Sequence, residues 1–110
     1  MATQEKQWAF LRALARLILW AEQQPGMSLT GGELYRTPEQ AEAYAQAGKG
    51  IRNSKHCRRL ACDLNLFVNG VYQTDTAAYQ ALGEQWEALG GIWGGRWTHR
   101  PDGNHFEWPE

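Results

Sequence analysis

The stretch Leu60-Ala61-Cys62-Asp63-Leu64-Asn65-Leu66-Phe67-Val68-Asn69-Gly70-Val71-Tyr72 decides the fold. From Leu60 the residues alternate with the two-residue period of a strand. Leu60, Cys62, Leu64 and Leu66 fall on one face, and Ala61, Asp63, Asn65 and Phe67 on the other. Asn69-Gly70 then supplies two residues that tolerate positive φ in a tight hairpin, so Val71-Tyr72 begins an antiparallel return strand. One residue is out of keeping. Asp63 sits mid-strand, where aspartate is disfavoured, and a carboxylate there needs hydrogen bonds, a counter-charge or a metal ion.

Helices flank this strand pair. Upstream, Gln4 to Gln24 predicts a first helix, with Trp8, Leu11, Ala15, Ile18 and Leu19 at helical spacing. Phe10, Leu14 and Leu17 widen that stripe, Arg12 and Arg16 mark the wet side, and Pro25-Gly26 ends the helix. Met27 to Arg36 has room for a short strand, weakened by Gly31-Gly32. Thr37 as cap, Pro38 in the first turn and Gln40 closing a capping box start a second helix, which stops at Gly48. Downstream, Asp75 to Leu89 predicts a third helix with Tyr79, Leu82, Trp86 and Leu89 inward. A Gly/Trp-rich loop from Ile92 to Gly103 and a short final strand, Asn104 to Trp108, complete the chain. The fold class is α+β: three helices on a small, mainly antiparallel sheet, without repeats or an interdomain linker.

Composition bounds the function. The 110 residues suffice for one domain, and 43% hydrophobic with 21% charged is ordinary for a soluble globular chain. A net charge of −1 argues against a dedicated nucleic-acid binder. No run approaches the roughly 18 apolar residues of a membrane span. The most apolar segment, Ala13 to Ala21, is broken by Arg16 and precedes no signal-type cleavage site, so the expected location is the cytoplasm. Cys57 and Cys62 are five residues apart, about 16 Å in an extended segment, against the roughly 7 Å limit between disulfide-linked Cα atoms. Free thiols are expected.

His56, seven residues before Asp63, gives the aspartate a candidate companion. An imidazole nitrogen and a carboxylate oxygen can both ligate zinc, and a catalytic zinc takes three protein ligands. With three histidines in the chain, the third ligand is His105 or His99. His105 is preferred because a strand can aim it. The same His56 and Asp63 read equally well as a buried hydrogen-bonded pair. Cys57 and Cys62 are alternative thiolate ligands, although Cys62 falls on the opposite strand face from Asp63. Glu107 shares a strand face with His105, as a base or as a contact to a ligand. Trp93 and Trp97 suit a substrate groove or the core. Lys55, Arg58 and Arg59 read as a solvated basic rim around an anionic substrate, and Ser54 caps the turn that carries His56.

Ser54-Lys55-His56-Cys57-Arg58-Arg59-Leu60-Ala61-Cys62-Asp63-Leu64 resembles the S-x-H-x-x-G-x-A-x-D-L signature of the D-alanyl-D-alanine carboxypeptidase (VanY-type) metallopeptidases, which include phage endolysins cleaving the L-alanyl-D-glutamate bond. Asp102-Gly103-Asn104-His105-Phe106 is similar to that family's last motif, and Tyr35-Arg36-Thr37 with Gln40 to its Y-R-[ST] segment. The resemblance spans about residues 27 to 108 and implies the Hedgehog/DD-peptidase fold, with residues 1–110 as a single catalytic peptidase domain. It implies a zinc cofactor held by His56, Asp63 and His105, Asp102 as general base, and Arg36 polarising the scissile carbonyl. It further implies a peptidoglycan stem peptide as partner. Ser54, Trp93 and Trp97 are the candidate substrate contacts, and a monomer is expected, without nucleic acid or stable membrane insertion. Aspartate at 102, where the carboxypeptidases usually have glutamate, points to the endopeptidase branch. Arg59 replaces the signature glycine. The rival readings are a D-Ala-D-Ala carboxypeptidase, a zinc-stabilised binding module without turnover, and a small nucleic-acid-binding phage protein.

Overall fold

The computed structural model describes residues 2–51 and 53–110. In chain order its main elements are α1 (Thr3–Glu22), β1 (Met27–Gly31), α2 (Pro38–Gln46), β2 (Ala61–Val68), β3 (Val71–Tyr72), α3 (Gln80–Ala88), β4 (Ile92–Trp93) and β5 (His105–Glu107). The expected α+β architecture is present. β2 is the spine of a five-stranded antiparallel sheet: its second half pairs with β1 and β3, and its first half with β5, which β4 flanks on the far side. The hairpin turns through Asn69 and Gly70 at φ 49° and 81°, the left-handed pair that a two-residue turn of matching twist demands.

The inward face of β2 is the one the alternation predicts. Cys62, Leu64 and Leu66 are buried, and with Phe106 of β5 they meet α1 and α3 in one core. Trp86 of α3 lies at its centre, packed edge-on against Phe10 and Phe106. Each large apolar side chain so buried contributes about 1.5–3 kcal/mol of transfer free energy.

Four details differ from expectation. α1 buries Phe10, Ala13, Leu14, Leu17 and Ala21, while Trp8, Leu11, Ile18 and Leu19 stay exposed. Both sides of α1 are apolar, and the side carrying the Phe10–Leu14–Leu17 ridge is the one that fits against α3 and β1. Thr37 does cap α2, accepting from the Gln40 N–H, but the Gln40 side chain donates to the Tyr44 hydroxyl, so the reciprocal half of the capping box is missing. The third helix enters through a 3₁₀ turn, Thr76–Tyr79, and is α-helical from Gln80. The Gly/Trp-rich segment is partly ordered structure, holding β4 and a 3₁₀ turn at Gly94–Arg96.

Candidate active site

The face of β2 away from the core carries Asp63, and its direct cross-strand partner on β5 is His105. His56 reaches the same point from a 3₁₀ turn, Lys55–Arg58, packed against the start of β2. Ser54 fixes that turn: its Oγ accepts the His56 N–H at 3.2 Å, and it is buried. The turn closes at Arg59 with φ 59°. The position replacing the signature glycine is thus left-handed, as a glycine there would readily be. Arg59 takes up this conformation with its guanidinium 4.0 Å above the Tyr35 ring, a cation–π contact that partly offsets the cost.

Three ligand-type atoms converge. His56 Nε2 lies 3.2 Å, and His105 Nδ1 3.4 Å, from Asp63 Oδ1. One ligand atom from each residue falls within 4.8 Å of the others. Asp63 Oδ1 is buried yet makes no hydrogen bond with the described residues. A buried carboxylate oxygen held between two imidazole nitrogens without a well-formed hydrogen bond is a place where a cation would sit. The donor set, two imidazoles and one carboxylate with an open side, fits a zinc ion of the catalytic type. His99, on an exposed loop, lies outside the cluster. Cys62 points into the core, where burial and then the nearby Asp63 charge push its thiol up to about 11, so it stays a neutral packing residue. Cys57 and Cys62 are both free.

A second layer of carboxylates stands behind the imidazoles. Glu107 Oε1 is 2.9 Å from His105 Nε2, while its Oε2 pairs with Lys55 Nζ at 3.0 Å. Lys55 also donates to the Trp108 carbonyl. Behind His56, Nδ1 lies 3.5 Å from the Leu34 carbonyl and 3.7 Å from Glu33 Oε1, and Glu33 is held by the Arg36 guanidinium. Each imidazole therefore turns its other nitrogen towards an acceptor and leaves one free for the cluster, the arrangement that orients histidine ligands. Glu33 was not foreseen. Its only sequence signal is its place three residues before Arg36.

These charges set the titration of the group. Burial alone would raise the Asp63 carboxyl, but the two imidazoles outweigh it and bring it down to about 2. Burial would lower His105, and the carboxylates of Asp63 and Glu107 reverse that, holding it up at about 9. Glu107 is kept below its ordinary value, because His105 and Lys55 outweigh its burial. Asp102 moves the other way: burial lifts it above its ordinary value.

The cluster opens into a cavity of about 580 Å³ whose wall also includes Arg36, Ser54, Trp97 and Asp102. Asp102 is held by its backbone, its N–H donating to Gly94 and its carbonyl accepting from His105. Trp97 stacks beside His105 with ring centres 5.0 Å apart. Arg36 gives Nε and one terminal nitrogen to Glu33 and lies 5.0 Å over the Tyr44 ring. Trp93 does not reach the cavity. It is 1% exposed, its indole N–H bonded to the Gly103 carbonyl at 2.8 Å, so the expected substrate contact is instead a core anchor beneath the Asp102 turn. The basic rim is also reduced, since Lys55 pairs with Glu107 and Arg58 with Glu110.

The crystal structure of the Serratia marcescens L-Ala D-Glu endopeptidase ChiX superposes with a TM-score of 0.72 at 20% identity, covering 97% of this chain and 86% of that one. At that identity the likeness establishes the fold. No curated protein sequence matches the chain. The sequence pattern of one family, described as D-alanyl-D-alanine carboxypeptidase, matches residues 47–108, which take in His56, Asp63, Asp102 and His105. With more than half of its length matched, the chain belongs to the D-alanyl-D-alanine carboxypeptidase family.

Proposed function

We propose that this protein is a zinc-dependent peptidoglycan peptidase of the phage or prophage endolysin type. It is made in the cytoplasm and hydrolyses the L-alanyl-D-glutamate bond of the wall stem peptide after release. The observation that carries the reading is the convergence of His56, His105 and the buried Asp63 Oδ1 on one point, on the wall of a cavity that also contains Asp102. His56, Asp63 and His105 would hold the ion, which when bound supplies Lewis acidity to water and to a carbonyl.

The chain's own residues do the rest. Water adds to the scissile carbonyl carbon, and the Asp102 carboxylate takes its proton. The same proton passes to the amine nitrogen as the C–N bond breaks, leaving one new carboxylate and one free amine. Arg36 retains guanidinium hydrogens beyond the two nitrogens engaged by Glu33, and these face charge developing on the carbonyl oxygen. Glu107, committed to both His105 and Lys55, orients the ligand rather than moving the proton. The neighbour with the same fold is an L-Ala D-Glu endopeptidase by its printed name, and aspartate at 102 favours that bond over D-Ala-D-Ala.

Purified peptidoglycan digested with zinc-loaded protein tests the proposal by mass spectrometry of the products. New L-alanine carboxyl termini and D-glutamate amines are expected. Release of free D-alanine alone would make it a carboxypeptidase. Zinc binding without any product would make it a binding module.

A further inference from the structure

Four lysine and arginine side chains line the cavity: Arg36, Lys49, Lys55 and Arg100. Two are neutralised from behind, Arg36 by Glu33 and Lys55 by Glu107. Asp63 is enclosed by its two histidines. Lys49 and Arg100 form no ion pair among the described residues, although the chain as a whole carries a net charge of −1. They sit on different loops that meet at the cavity mouth, joined where Arg100 Nη1 donates to the Gly48 carbonyl at 3.0 Å. Arg100 adopts φ 52°, a left-handed conformation that side-chain-bearing residues seldom take. The bond to Gly48 uses one of the guanidinium's five N–H donors and leaves the rest for a ligand. Ile51, Trp97 and Pro101 line the same cavity.

We propose that Lys49 and Arg100 bind a free carboxylate on the substrate residue beside the scissile bond, making the enzyme selective for an acidic residue there over its amide. This rests on the peptidase reading above. An amino acid with two carboxyl groups uses one to continue the chain and keeps the other free. Amidation preserves the shape of that group and removes its charge, so a pair of unneutralised cations distinguishes the two forms.

The experiment uses the full zinc-loaded chain and two synthetic stem peptides, one with D-glutamate after L-alanine and one with its carboxamide. Wild type should cleave the acid with kcat/KM about 10–100-fold above the amide, the value of one or two charge-assisted contacts. Lys49→Met and Arg100→Gln should each lower kcat/KM for the acid about tenfold and move the acid-to-amide ratio towards one, and Arg100→Lys should restore part of it. Thermal melts report whether the Arg100 variants keep the loop tie. If they do not fold, Lys49→Met, whose side chain makes no bond within the described residues, carries the test alone. Equal wild-type rates on acid and amide overturn the proposal, as do variants that retain the full ratio. If wild type cleaves neither peptide, the endopeptidase reading falls and the carboxylate site with it.

Discussion

Gly83→Ala sets two effects of opposite sign against each other inside α3. Replacing a mid-helix glycine by alanine ordinarily stabilises a helix by about 1 kcal/mol. Here an added Cβ would lie within 2.5 Å of Cδ2, Cε2 and Cε3 of Trp93, where ordinary contact begins near 3.4 Å. The indole must then retreat by about 1 Å, and it has nowhere to go. Its other side is closed by Gly95, where a Cβ would meet the same ring, and its N–H is tied to Gly103. Overpacking of this kind costs about 1–3 kcal/mol, and the strained indole bond about 1 kcal/mol more. The net expectation is a loss of about 2 kcal/mol, or roughly 10 °C in Tm for a domain of this size. Calorimetry or a circular-dichroism melt measures it. Because Trp93 anchors the turn bearing Asp102, catalysis on wall peptides should fall further than stability alone requires. In a Trp93→Leu background the same Gly83→Ala change should become neutral or stabilising. An unchanged or higher Tm in the single variant would mean that helix propensity dominates and that the glycine is not there to admit the ring.

Other outcomes follow from the site. Asp102→Asn should leave zinc content near wild type while hydrolysis falls about 10²–10⁴-fold, the usual value of a general base; retained activity, with loss in Glu107→Gln, would move the base to Glu107. Lys55→Met frees Glu107 from its counter-ion and should weaken zinc binding about 10–100-fold in a chelator competition, a readout independent of turnover. In metal-free protein His105 is raised from 6.5 to about 9, so its stabilising contribution is complete below pH 6.5 and lost as pH rises through 9. Asp63 is lowered from 3.8 to about 2, so its contribution is present above pH 4 and lost as pH falls through 2. Melting temperatures of the metal-free protein should therefore peak between about pH 4 and 6.5, and His105→Ala should remove the decline on the alkaline side.

Much of the site was legible because its members announce themselves. Asp63 breaks a buried strand pattern, and the period-two register that exposes it also puts His105 opposite it once β5 is paired. The supporting layer was not legible. Glu33 reaches His56 only because the chain after β1 stays against β2, where the Asp63 N–H donates to the Glu33 carbonyl at 2.8 Å. No local pattern encodes that approach. Trp93 misled for a different reason: tryptophan between glycine pairs suits an open groove, and equally a ring needing bare backbone on both sides, which is what Gly83 and Gly95 supply. On α1, periodicity identified the helix but could not choose between two apolar sides; the shape of the surface it packs against decided.

The strand order has a consequence for how the molecule comes into being. β5 follows every other element along the chain, yet it lies between β2 and β4 in the sheet. The hairpin of β2 and β3 can form from neighbouring residues, but closing β5 onto β2 spans more than forty residues and bears the loop-closure entropy of that distance. Phe106 completes the core in the same event that brings His105 to Asp63. A partly folded chain therefore has neither a finished interior nor a finished ligand set. The finished core and the complete ligand set thus depend on the docking of the same three-residue strand.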